Sequence, residues 1–291
     1  MPPKKKRKAK NKRSRYVVLV ILLLVAGTFM FVREFGRQEI PEKIDLVKPK
    51  KKAVTIPPPP PPPPPPLPPL PSAVLPRVSI VMDDLGNDRR GAIEVMDINN
   101  RISFAILPHQ EYSRWTAEEG HKRGHDILLH IPMEATRPFK LGEGGIYTWM
   151  SGQEIVAVLN RAIGSIPHVI GVSNHMGSAF TQDERVMEEF FSGMKGQGLF
   201  FLDSLTSPRS IAYKFAKERG IRALRRDVFL DDSGDPAKIR AQWDILVKTA
   251  RKKGHAIALA HPRENTLKVL REKLKEKKEV EVVPVSELLP P

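Results

Sequence analysis

Between Val78 and Val285 the chain alternates short unbroken apolar runs with longer segments whose apolar residues recur every three or four positions. The short runs (VSIVM, ISFAIL, DILL, VIGV, LFFL, VFL, AIALA) lack the in-out alternation of a half-exposed strand and read as parallel strands buried on both faces. The pattern predicts strands over 78–82, 102–107, 126–130, 169–174, 199–202, 222–230 with a break, 256–260 and 281–285. The helices expected between them are 88–97, 111–123, 151–165, 181–196, 207–219, 235–253 and 264–278. Boundary signals support several of these. Ser151-x-x-Glu154 and Thr181-x-x-Glu184 read as capping boxes, Ser207-Pro208 and Asp235-Pro236 place proline at a first helical turn, and Gly220 and Gly254 suit C-terminal caps. Alternation of about seven such units implies an α/β fold with parallel strands and right-handed crossovers, a closed or nearly closed (β/α) barrel.

Seven of the strand runs stop on an acid or a histidine: Asp83-Asp84, His109, His130, His175, Asp203, Asp231-Asp232 and His261. In parallel sheets ligands bind at the carboxyl ends of strands, so a shared rim is expected. An acid after a strand commonly caps the next helix, as Asp88 would. Asp83-Asp84 differs: two adjacent carboxylates ending a buried strand repel each other and lose hydration unless a cation or donors offset the cost. Side chains alternate along a strand, so one carboxylate is expected to face a metal and the other the substrate. His130 and His175, on further strand ends, complete an Asp/His/His cluster suited to Zn²⁺ with a position left for water. His121, His125, His168 and His255 read as solvent-side or capping residues, and His109 stays unassigned. Segment 137–150, with Gly142, Gly144 and Gly145, is a rim loop that serves either as a flap or as a plain connection. Trp115, Tyr147 and Trp149 are candidates for stacking on a ligand or for packing.

The N-terminus changes the picture of where such a domain works. Nine Lys or Arg and no acid precede Tyr16, and 16–32 carries no charge. This predicts a basic tail (1–15) and an uncleaved transmembrane anchor (16–32), with a cleaved signal peptide as the rival. Positive charge stays inside, so the remainder would lie outside the cytoplasm, in the periplasm of an inner-membrane protein. Segment 33–75 includes a proline run, 57–71, broken only by Leu67 and Leu70, which predicts a stiff polyproline spacer. The net charge of +15 belongs mostly to this part: residues 1–52 hold 16 Lys or Arg against four acids, which leaves only +3 beyond. With no interleaved basic and aromatic residues in 76–291, a nucleic-acid partner is excluded. The absence of cysteine removes disulfides, lipid-anchor thiols and thiolate ligands.

From Arg77 to Leu289 these residues resemble the NodB-like polysaccharide deacetylases, and within them the divergent polysaccharide deacetylase branch of bacterial envelopes. VMDDLG matches the first-strand Asp-Asp-x-Gly pattern at Asp83, Asp84 and Gly86. The resemblance implies Asp83 as base, Asp84 as metal ligand and His261, in Ala-His-Pro, as acid. It also implies Asp203 as a strand-end acid that orients a catalytic partner. Gly124-His125-Asp126 and His130 resemble the next motif. Its second histidine is missing, and Glu134 stands there. Either Glu134 or His175 then completes the metal set; the Asn174-His175-x-Gly177-Ser178 segment of the branch favours His175. The implied activity is metal-dependent removal of N- or O-acetyl groups from an envelope polysaccharide or peptidoglycan-type glycan. The competing class is an envelope carbohydrate-binding or scaffold protein that keeps the fold with a degraded site.

Overall fold

The computed structural model describes residues 75–275 and 279–290. The predicted tail, anchor and proline-rich spacer lie outside the described residues, apart from Leu75. Among the described residues no helix is long and apolar enough to cross a membrane.

Among the described residues nine strands form: β1 (Arg77–Leu85), β2 (Ser103–Ile106), β3 (Ile127–Met133), β4 (Val169–Met176), β5 (Phe200–Asp203), β6 (Ala223–Arg225), β7 (Val228–Phe229), β8 (His255–Ala260) and β9 (Glu281–Val282). Their order is β6-β5-β4-β3-β2-β1-β8-β7, all parallel, with β9 added beside β1. β6 and β7 end this path at opposite edges, yet only Arg226 and Asp227 separate them in sequence. The sheet therefore curls until its ends meet, and the break expected within 222–230 is the seam of a distorted (β/α) barrel. Arg226 braces the seam, its Nε and Nη2 donating to the Ser204 and Leu205 carbonyls at 2.7 and 2.8 Å.

The helices are α1 (Arg89–Met96), α2 (Ser113–Lys122), α3 (Gly152–Ser165), α4 (Glu184–Met194), α5 (Ala212–Glu218), α6 (Pro236–Lys253) and α7 (Glu264–Lys275). The Ser151/Glu154 capping box, Pro236 at the start of α6 and left-handed Gly254 at its end are as expected. Two helix starts are corrected. Thr181 is buried in a 3-10 turn, where its hydroxyl bonds the Gly177 carbonyl, and the cap of α4 is Asp183, whose carboxylate accepts from Val186. Ser207-Pro208 lies in a turn, and α5 begins only at Ala212.

Alternation along each strand divides the core in two. Ile80 and Met82 pack outward under the helices, while Val81, Ala105, Leu128, Leu202 and Leu259 fill the barrel. The chain end plugs that interior: after the short β9 a 3-10 turn, Val285–Leu288, packs Val285 and Leu288 beneath it. Its backbone is tied to Ser103 Oγ and Asp126 Oδ2 at 2.9 and 2.8 Å. The predicted last strand is thus cut to two residues. Gly171 shows how tight the wall is, since a Cβ there would fall 2.6 Å from the Phe200 ring opposite it.

Candidate active site

The rim is built by an irregularity in β1. Met82 pairs with Phe104 and Leu85 with Ile106, so β1 carries one extra residue and bulges at Asp83-Asp84, where Asp84 has φ 60°. Bulges re-aim side chains, and aspartate tolerates the left-handed region better than most residues. The expected alternation of the two carboxylates is therefore broken, and both face His130: its Nε2 lies 3.3 Å from Asp84 Oδ1 and 3.9 Å from Asp83 Oδ2.

His130 sits on β3 opposite Ser173 of β4, two residues before His175. Its Nδ1 is 2.7 Å from Ser173 Oγ, an acceptor that fixes the ring and turns Nε2 into the site. His175 ends β4, its Nδ1 2.7 Å from Asp84 Oδ1, and its ring meets His130 edge-on. Asn174 braces this strand end, bonding the Met176 carbonyl and the Ser204 amide at 2.7 and 2.9 Å. His261 follows β8, its Nε2 3.4 Å from Asp84 Oδ2.

Asp84 Oδ1 is buried and has no aligned hydrogen-bond donor, although two imidazole nitrogens lie within 3.3 Å. Three such atoms converging on one point have the donor set that a cation takes. Ligand atoms of Asp84, His130 and His175 all lie within 4.8 Å of one another, and oxygen plus two imidazoles suits a borderline divalent ion such as Zn²⁺. Burial resists ionisation of Asp84, but the close His130 and His175 overcome it and hold the carboxyl well below its usual range. Burial drives His130 the other way, down to about 4 despite Asp84, so its nitrogen is free of a proton at neutral pH. Asp83 is buried with Oδ1 unpartnered; burial first, then Asp84 and Asp231, raise its pKa well above the carboxylate norm, against Arg226.

Asp203 lies elsewhere than implied. Its Oδ1 accepts from the Leu205 amide, and its Oδ2 from Ser210 Oγ and the Tyr213 amide, so it shapes the loop entering α5. The acid that meets His261 is Asp231, fully buried, with its side chain 2.9 Å from His261 Nδ1. Glu134 is also separate from the cluster, its Oε2 taken by the Thr148 amide and hydroxyl at 2.6 and 2.5 Å. Of the two alternatives, it is His175 whose ligand atom lies with those of Asp84 and His130.

The remaining histidines divide. His125 is no capping residue: it is buried, stacked on Phe104 at 4.1 Å, with Nδ1 2.7 Å from the Ile102 carbonyl. His121 and His168 stack at the surface beside Glu118, and His255 is exposed. Trp115 packs partly into the core beneath the Arg89 guanidinium, 4.4 Å away. Ser173, the orienter of His130, was missed; a polar residue inside an apolar strand, in register with a candidate ligand, was the available signal.

A sequence profile for divergent polysaccharide deacetylases matches residues 80–289. An uncharacterized protein of Haemophilus influenzae is 39% identical over 194 residues, spanning 67% of this chain and 69% of that one. Escherichia coli K12 YibQ, also uncharacterized, is 33% identical over 196 residues, 67% of this chain and 61% of YibQ, so less than two thirds of that relative is matched. The crystal structure of an uncharacterized protein from Agrobacterium tumefaciens C58 superposes with a TM-score of 0.70 over 76% of this chain and 92% of that one. At 24% identity that likeness speaks for the barrel alone. By the extent of the profile match and the identity to its relatives, this chain belongs to the divergent polysaccharide deacetylase family.

Proposed function

We propose that the chain is a membrane-anchored, metal-dependent hydrolase of the bacterial envelope that removes acetyl groups from an N- or O-acetylated polysaccharide. The observation that carries this reading is the convergence of Asp84, His130 and His175, flanked by a buried carboxylate, Asp83, and a carboxylate-held imidazole, His261. Asp84, His130 and His175 would hold the ion, which when bound supplies Lewis acidity toward an acyl carbonyl and acidifies water. Asp83, buried beside the site with Oδ2 3.9 Å from His130 Nε2, takes a proton from the attacking water. His261, its Nδ1–H held by ionised Asp231, turns Nε2 toward the centre and returns a proton to the leaving amine or alcohol. Ser173 fixes the ring of His130. The predicted anchor and proline spacer would hold this rim beyond the cytoplasmic membrane, within reach of envelope glycan.

The test combines metal analysis of the full-length chain with acetate release from N-acetylglucosamine oligomers. About one zinc per chain is expected, lost in Asp84→Ala together with turnover. Failure of the wild-type chain to hold a divalent metal, or to release acetate with metal bound, overturns the hydrolase reading and leaves a binding or scaffold protein.

A further inference from the structure

The loop between β3 and α3 presents more apolar surface than a connection needs. Phe139 is 61% and Trp149 70% exposed, the largest exposures among the big hydrophobic side chains described. Contiguous exposed aromatics are uncommon on a soluble surface unless something binds there. Trp149 rests on Tyr147, ring centroids 5.5 Å apart and planes 20° from parallel, so the indole is held as a flat shelf. Beneath it opens a cavity of about 430 Å³, lined by both rings with Glu134, Pro138, Phe139 and Lys140, within the size range of small-ligand sites.

The Trp149 end of this loop is fastened. The Glu134 N–H donates to the Ile146 carbonyl at 3.0 Å, the Ile146 N–H donates to the Pro132 carbonyl at 2.9 Å, and the Glu134 carboxylate accepts from Thr148. Arg185 donates to the Thr148 and Met150 carbonyls. Left-handed Gly144 lies against His109, where a Cβ would come within 3.0 Å of the ring. A surface fixed before binding loses little entropy on binding.

We propose that this loop is a preformed glycan platform. One pyranose ring of a longer acetylated chain stacks its C–H face on Trp149, with hydroxyls toward Lys140 and Glu134, while an acetyl group of another residue of the same chain occupies the Asp84 rim. The inference rests on the deacetylase reading and makes the substrate an oligomer. It follows from the loop's origin as well as its rings: Glu134 is four residues beyond His130 on the same chain segment, and its carbonyl accepts the Ala179 and Phe180 amides just past His175. A pyranose is apolar on its C–H face and polar at its edge, which suits rings bordered by one cation and one carboxylate. Insertion into a lipid surface fits less well, because Glu134 would enter the apolar layer with the rings.

The experiment follows Trp149 fluorescence as the difference between the full-length wild-type chain and Trp149→Phe; the other two tryptophans are Trp115 and buried Trp243. Chitotetraose is expected to shield Trp149 from acrylamide, and Trp149→Ala to weaken chitotetraose binding on the order of tenfold at unchanged zinc content and melting temperature. Absence of shielding with unchanged affinity in Trp149→Ala overturns the platform. So does quenching of Trp149 by vesicles with brominated acyl chains, which would mark a lipid contact. Shielding without acetate release keeps the platform and removes the deacetylase reading, whereas acetate release without shielding does the reverse.

Discussion

His261 and Asp231 are joined twice, the backbone N–H of His261 donating to Oδ2 and its ring Nδ1 to Oδ1, both at 2.9 Å. Thr266 Oγ1 adds a bond of 2.8 Å to Oδ2, and Arg263 grips the Asp231 carbonyl at 2.7 Å. So many constraints leave the imidazole one orientation, Nε2 toward Asp84. Asp231→Asn puts an amide NH₂ where a carboxylate oxygen accepted, which disfavours that tautomer. Loss of the proton donor is expected to lower kcat by about 10²- to 10⁴-fold while zinc content stays at the wild-type level. Zinc loss in this variant would show that His261 belongs to the metal set instead.

Ser173 should act through His130 and not on substrate. Ser173→Ala leaves a buried Nδ1–H without its acceptor and frees the ring to rotate. A fall in zinc affinity of about 10- to 100-fold is expected, with activity restored by excess zinc. A variant whose loss persists at saturating zinc would contradict an orienting role.

Glu134→Gln separates the two candidate ligand sets. Because Oε2 is spent on Thr148 and lies outside the cluster, the variant should keep its zinc. Weakening of the loop anchorage would appear as a raised KM for oligomers. Loss of zinc by elemental analysis would return Glu134 to the metal.

Most of the rim was legible because the barrel's strands are buried on both faces, so each ends where apolar residues stop, and polar groups there have few places to go but inward. That logic brought Asp83, Asp84, His130, His175 and His261 together across four strands. It could not separate Asp203 from Asp231, since both end strands and both are fully buried. Which acid reaches His261 depends on strand order: β7 lies beside β8, whereas β5 is far along the sheet. The bulge that turns both first-strand carboxylates the same way is a register shift between partners, invisible in either strand alone. Thr181 and Ser207 failed as helix signals for a related reason, because their hydroxyls serve a 3-10 turn and a tight loop that only tertiary contacts reveal.

His125 predicts an acid limit to stability that is independent of the metal centre. It was expected at the surface but is buried, its Nδ1 on the Ile102 carbonyl and its Nε2 without a partner. Burial, the largest influence, lowers its pKa, and the Ile102 bond only partly offsets this. The unfolded chain takes up a proton near the ordinary value of about 6.5, while the folded chain resists until lower pH. Below about 6.5 the unfolded state therefore binds more protons, so the stability this residue contributes is full above that pH and is lost as pH falls toward the folded pKa. One such group changes stability by at most about 1.4 kcal/mol per pH unit. His130 carries a depression of the same sign, so total acid sensitivity does not isolate His125. His125→Asn does: its amide can still donate to the Ile102 carbonyl but cannot be protonated. The variant should be less stable at pH 7, since it gives up the Phe104 stack, yet lose less than wild type between pH 7 and 5 in urea unfolding. Equal losses in the two proteins would show that His125 is not the titrating group.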